Sequence, residues 1–201
     1  MEAIIIIIVA ILVLTAIIII VSSNIPNTWT IEKAVLVNAP NHEIFPYLKD
    51  LSLWQEWTVW SPEYESDLTF EYPTQQTAGV GAIQKWMSLN LNAVLTLTEV
   101  KPQESITFTL KLHKEDITLS GTIVLGVADT YFTQVAWRLQ LNPTKKKNLI
   151  QKYIAYNLRK SFDEDLEESL QNLVLFFADK FPNVDEIELD DSSSLIEDDL
   201  A

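Results

Sequence analysis

Few side chains in this 201-residue chain are of a type, and in a place, to do covalent chemistry. There are two histidines and no cysteine, which removes thiolate nucleophiles, disulfides and zinc–cysteine sites. General acid–base catalysis asks for a histidine or a pKa-shifted carboxylate held in a cleft. His42 falls in the first turn of a short helical segment and His113 in a hairpin turn, so both read as solvated. Their unrelated positions do not suit a metal site. The alternating segments place no Asp, Glu, Lys or His on their inward faces. Nothing marks a catalytic group, and the residues lean toward binding over catalysis, with no cofactor implied.

The binding signal lies in DLSLWQEWTVWSP, residues 50–62. Trp54, Trp57 and Trp60 recur every three residues and make up half of the chain's six tryptophans. Such a set either plugs the end of a core or rims a cavity. Further inward aromatics are Phe70, Trp86, Phe108, Trp137 and Phe162. Each alone reads as core, because aromatics bury large areas. Together with Ile123, Val135 and Leu166 they could also line an apolar pocket with few polar groups.

These residues must be positioned by elements, and the pattern along the chain supplies them. AIIIIIVAILVLTAIIIIV, residues 3–21, has no charge, glycine or proline. A helix of that length rises roughly 28 Å, near the hydrocarbon thickness of a bilayer. It reads as a retained single-pass anchor: the run exceeds a signal-peptide core, no Lys or Arg precedes it and no A-x-A site follows. The expected organisation is an anchor over 1–22, a linker over 23–28, a domain over 29–181 and an acidic disordered tail over 182–201.

Within the domain, TWTIEKAVLVN (28–38) reads as a strand. A short helix follows, opening at Pro40-Asn41, carrying Ile44, Phe45 and Leu48, and limited by Pro46. DLSLWQEWTVW reads as a second helical piece closed by Ser61-Pro62. The period then changes to two. Tyr64, Leu68, Phe70 and Tyr72 alternate with polar residues, as do Ile106, Phe108, Leu110 and Leu112. Ile117, Leu119, Ile123, Leu125 and Val127 share a face, and so do Tyr131, Val135, Trp137 and Leu139. Residues 80–89 and 92–100 are also rich in β-formers. Such alternation describes an antiparallel sheet with one covered face. The cover is a long helix from about Lys147 to Phe181. Its stripe of Ile150, Ile154, Leu158, Phe162, Leu166, Leu170, Leu173, Phe177 and Phe181 recurs at three- and four-residue steps.

Charge is uneven. Of 28 acids and 14 bases, residues 163–201 hold 14 acids and one base, a net of −13, which leaves residues 1–162 at −1. A nearly neutral body argues against nucleic acid, which needs a basic footprint. The run from Lys145 to Lys160 carries six bases and reads as a solvated helix face, with anionic lipid headgroups as the alternative. The tail interleaves acids with Ile187, Leu189, Leu195, Ile196 and Leu200 and could dock a protein partner.

The order of strand, two short helices, six strands and a long helix resembles the START-like or SRPBCC superfamily, the polyketide-cyclase-like and birch-pollen-allergen-like helix-grip proteins. VLVNAPNHEIFPYLKD (35–50) resembles the family's strand–Ala-Pro–helix–Asp opening. Trp54 and Trp57 resemble its "W..W", and Ser61-Pro62 the "SP" that follows. Gly79, Gly81 and Trp86 resemble its "G.G….W" strand, Val100 to Ile106 its "V.P.E.I", and Phe162 to Leu173 its "F…L..L". The chain departs from the pattern at LNLNAVLTL, where a glycine is common, and in its acidic tail. The resemblance implies an α+β helix-grip fold, a curved antiparallel sheet of about seven strands gripping the last helix. It includes a membrane-anchored bacterial subgroup, with the domain outside the cytoplasm.

It implies a hydrophobic small molecule or lipid bound between sheet and helix, without catalysis, by Trp54, Trp57, Phe70, Trp86, Phe108, Ile123, Val135, Trp137, Phe162 and Leu166. In this picture Trp54 and Trp57 close one end of the cavity and Trp60 packs at the domain edge. The rivals are a cyclase or hydrolase of the same superfamily and a filled-core scaffold resembling its co-chaperone domains.

Overall fold

A computed structural model of the chain describes residues 2–23, 26, 28–89, 91–114, 116–128, 131–141 and 149–181. An N-terminal helix, α1 (Glu2–Ser23), precedes a domain that opens with β1 (Thr30–Val37). Helix α2 (Asn41–Lys49) and a 3₁₀ helix (Leu51–Glu56) follow. Next come β2 (Thr69–Glu71), β3 (Ile83–Met87), β4 (Asn92–Lys101), β5 (Ser105–Leu112), β6 (Ile117–Val127) and β7 (Thr133–Leu141). The last element is α3 (Leu149–Lys180). The seven strands form one antiparallel sheet in the order β1-β7-β6-β5-β4-β3-β2. The sheet is antiparallel as expected, and β1 pairs beside β7 at one edge.

Alternation sets which face is covered. Ile106, Phe108, Leu110 and Leu112 are buried, as are Ile117, Leu119 and Ile123, with Val135, Trp137, Leu139 and Leu141 from the neighbouring strand. Residues between them are exposed or half-buried, as a one-sided sheet requires. A register shift between Leu97 and Glu99 bends β4. Gly79 and Gly81 have φ of +80° and +87°, a turn that favours glycine, and Gly81 N–H reaches the Leu97 carbonyl at 2.9 Å.

Helix α3 runs alongside β1 in the same direction, fixed at three places. Near its start the Ala155 carbonyl accepts from Trp29 Nε1 at 2.8 Å. Further along, Lys33 Nζ lies 3.1 Å from Asp163 and 2.8 Å from Glu167. Beyond the end, the Phe181 carbonyl accepts from Asn38 Nδ2 at 2.9 Å. Of the expected stripe the helix buries Phe162, Leu166, Leu170, Leu173 and Phe177, while Ile154, Leu158 and Phe181 are half-buried and Ala155, outside that stripe, is buried beside them.

Several expectations are corrected. The strand expected from Tyr64 begins only at Thr69, and Tyr64 is exposed in the turn before it. Tyr131 and Val127 flank a hairpin tip and are exposed, so neither belongs to the covered face. The second helical piece ends at Glu56; Asp50 caps its start by accepting from Ser52 N–H at 3.0 Å. Trp57 to Ser61 therefore form turns and bends outside the helix.

Among the described residues no helix is long and apolar enough to cross a membrane. The expected span over residues 3–21 is therefore not met among the described residues. Linker residues 24, 25 and 27 and the tail over 182–201 lie outside the described residues.

Candidate functional site: an aromatic cluster between sheet and helix

The site is built from three directions. The sheet contributes Trp86 from β3, Phe108 from β5 and Trp137 from β7, all buried. Helix α3 contributes Phe162 and Leu166. The segment after α2 contributes Trp54, Trp57 and Trp60. Phe108 stands where it does because it pairs with Gly121 on β6. A Cβ on Gly121 would lie 2.0 Å from Phe108 Cζ, so the glycine makes the hollow that the ring fills.

The rings meet in one continuous cluster. Trp54 lies 5.3 Å from Phe108, 5.8 Å from Trp137 and 5.6 Å from Trp57, between ring centres. Trp57 lies 5.5 Å from Trp137. Trp60 lies 4.9 Å from Trp86, 5.3 Å from Trp137 and 6.1 Å from Phe162. Most are edge-on or tilted, the geometry that ring quadrupoles prefer. Two expectations change here. Trp54 and Trp57 reach rings from the middle of β5 and β7, so they fill the interior, where closure of one end was expected. Trp60 sits inside the cluster and not at the domain edge.

Of the other expected site residues, Ile123 and Val135 are fully buried on β6 and β7. Phe70 is half-buried and packs edge-on against Trp86 at 6.5 Å. His42 and His113 are exposed and stand on separate elements. Among the described residues no group of His, Cys, Asp or Glu could hold a metal ion.

The polar groups of the site were not legible in the sequence. Gln84 is buried on β3; its Nε2 donates to the Leu51 carbonyl at 3.1 Å and Tyr72 Oη at 3.0 Å, and its Oε1 accepts from Trp86 Nε1 at 2.8 Å. Ser169 on α3 accepts the Val59 N–H at 3.0 Å, and Asp165 accepts from Trp60 Nε1 at 3.1 Å. Burial pushes the Asp165 carboxyl above the usual carboxylate range; the Trp60 hydrogen bond opposes this, and Glu168 and Glu164 add to the rise. Burial likewise raises the Tyr72 phenol. The helical period could have flagged Asp165 and Ser169, since they flank Leu166 and Leu170 on the inward stripe.

Depressions lined by described residues lie elsewhere. One of about 170 Å³ sits between β1 and α3 beside Lys33, Val35 and Glu167. Another of about 330 Å³ runs along Tyr156, Arg159, Lys160 and Asp163. Neither has a ring of the cluster in its wall.

A family model described as "Polyketide cyclase / dehydrase and lipid transport" matches residues 28–175. The chain belongs to this family. The match covers β1 through most of α3 and so takes in the whole aromatic cluster. Solved structures of the same polyketide-cyclase-like fold agree. The protein XoxI from Bacillus cereus aligns at 12% identity over 75% of this chain and 96% of its own, with a TM-score of 0.55. Ara h 8.0201 aligns at 11% identity over 76% and 99%, TM-score 0.55. A Thermobifida fusca protein aligns at 16% identity over 74% and 93%, TM-score 0.55. At these identities the likeness is one of fold. No curated protein sequence matches the chain.

Proposed function

We propose that this polyketide-cyclase-like domain binds a hydrophobic small molecule or lipid between its sheet and α3, and does so without covalent chemistry. The observation that carries this reading is the make-up of the interior. The side chains facing one another there are tryptophans, phenylalanines and aliphatics, and the buried polar ones named among the described residues are Thr58, Ser61, Gln84, Thr133 and Ser169, all uncharged. An apolar guest would be held mainly by burial, at ~25 cal/mol per Å². The family's printed description, which includes lipid transport, supports the same reading. The proposed contacts are Trp54, Trp57, Phe70, Trp86, Phe108, Ile123, Val135, Trp137, Phe162 and Leu166.

We also propose that α1 holds the domain at a cell membrane, on its outer side. Ile4 to Ile20 present exposed apolar side chains, and the sequence continues the apolar run through Ala3 and Val21. The tail, residues 182–201, is proposed to offer a docking segment to a protein partner.

The test is to purify the full chain from native membranes and analyse what accompanies it by mass spectrometry, against bulk membrane lipid. One apolar species enriched to near-stoichiometric amounts is expected; a domain that consistently carries nothing enriched would contradict the reading. A second reading is a filled-core interaction domain. The close packing of the cluster, with ring centres 4.9 to 6.5 Å apart, favours it, and it predicts that empty result.

A further inference from the structure

Four of the six tryptophans spend their indole N–H on a named acceptor: Trp29 on the Ala155 carbonyl, Trp54 on the Leu48 carbonyl, Trp60 on Asp165 and Trp86 on Gln84. Trp57 and Trp137 do not. Each is at most 1% exposed, and the Nε1 of each is without a hydrogen-bond partner. Among the described residues, the buried side-chain polar atoms in this condition are Trp57 Nε1, Thr58 Oγ1, Ser61 Oγ and Trp137 Nε1. Three belong to one five-residue stretch, and the fourth is carried by the ring 5.5 Å from Trp57. Buried polar groups are ordinarily satisfied, so four unsatisfied atoms on one short stretch and on a ring packed against it ask for a partner.

We infer that the indole N–H groups of Trp57 and Trp137 form a receptor for a carbonyl oxygen, and that the guest is a neutral carbonyl-bearing hydrophobe such as an ester, ketone or amide. An indole N–H is a donor only, so its complement must be an acceptor. The hydroxyls of Thr58 and Ser61 can rotate to donate as well.

The neutrality of the guest follows from what surrounds the pair. The buried polar residues named among those described include no cation to pair with a carboxylate. Asp165, through Trp60, brings a carboxyl to the same cluster, since Trp60 touches Trp137 at 5.3 Å. An anionic head would be desolvated, unpaired and close to a like charge, which is costly. A carbonyl oxygen accepts both donors without that penalty. The residues after Glu56 are the part able to yield for it. They are turns and bends, tied to α3 by hydrogen bonds of Val59 to Ser169, Trp60 to Asp165 and Asn172 to Tyr64.

This inference rests on the binding reading and adds the chemical class of the guest. The test uses the full chain in amphipol with ¹⁵N-labelled tryptophan. Trp57→Phe and Trp137→Phe assign the two indole signals and remove one donor each while keeping a ring. Methyl decanoate and an alkane of matching length are titrated separately. The ester is expected to bind saturably and to move both indole N–H signals, with the alkane binding more weakly and leaving them in place. Each Phe variant should weaken the ester by ~3- to 10-fold and leave the alkane unaffected, the loss of one hydrogen bond. Binding of ester and alkane alike, with unmoved indole signals, would overturn this inference and spare the binding reading. So would N–H signals coupled to one bound water that persists when the ester is in place. Failure of both guests to bind would overturn the binding reading itself.

Discussion

Trp60 Nε1 donates to Asp165 Oδ2 at 3.1 Å, joining the turn after the 3₁₀ helix to the inward side of α3. The bond places a carboxyl at the edge of an aromatic cluster, and burial raises its pKa above the ordinary 3.8. In the folded state the proton is therefore held more tightly than in the unfolded chain. Stability from this group is full below the unfolded value and is lost as pH rises through the folded one.

Asp165→Asn keeps an oxygen acceptor for Trp60 and removes the titration. We expect the variant to be more stable than the parent near pH 7, with the advantage shrinking toward pH 3.5. Urea denaturation at the two pH values measures this. A variant less stable than the parent at pH 7 would show that the ionised carboxylate is the favoured form here.

Ser169 accepts the buried Val59 N–H at 3.0 Å. Ser169→Ala leaves that donor without a partner, which costs about 1–3 kcal/mol. We expect a loss of that size in denaturant unfolding, with faster hydrogen exchange at Val59. Unchanged exchange there would mean the segment is held by its rings alone.

Gly121 yields to the ring of Phe108, whose Cζ would stand 2.0 Å from an added Cβ. Phe108 cannot retreat freely, because Trp54 lies 5.3 Å from it. Gly121→Ala should cost about 1–3 kcal/mol by overpacking, and Phe108→Leu in the same chain should recover part of it. Full stability of Gly121→Ala alone would mean the cluster has slack.

The strands β5 to β7 and the stripe of α3 were legible because each buries one face, and one-sided burial imprints a period of two or of 3.6 on the residue types. Ile106 to Leu112 and Phe162 to Phe177 show this directly. Trp60 was misread because the order Trp-Ser-Pro signals a stop in the chain and says nothing about where the side chain turns. Asp165, Ser169 and Gln84 were missed for another reason. A polar residue on a covered face looks solvated in sequence; the helical period hints at Asp165 and Ser169, and the partners Trp60, Val59 and Trp86 show that all three face inward. The pairing of Trp57 with Trp137 depends on closing the last strand over the first turns, so no local pattern carries it.

All six tryptophans are buried, the most accessible being Trp60 at 8%, so their emission reports on the interior of the domain. The most direct measurement is therefore quenching of tryptophan fluorescence in the full chain, in amphipol, by a fatty ester brominated in mid-chain. Saturable quenching that is reversed by excess unbrominated ester is the predicted result. Emission that stays constant up to the solubility limit of the brominated ester would contradict a guest between the sheet and α3.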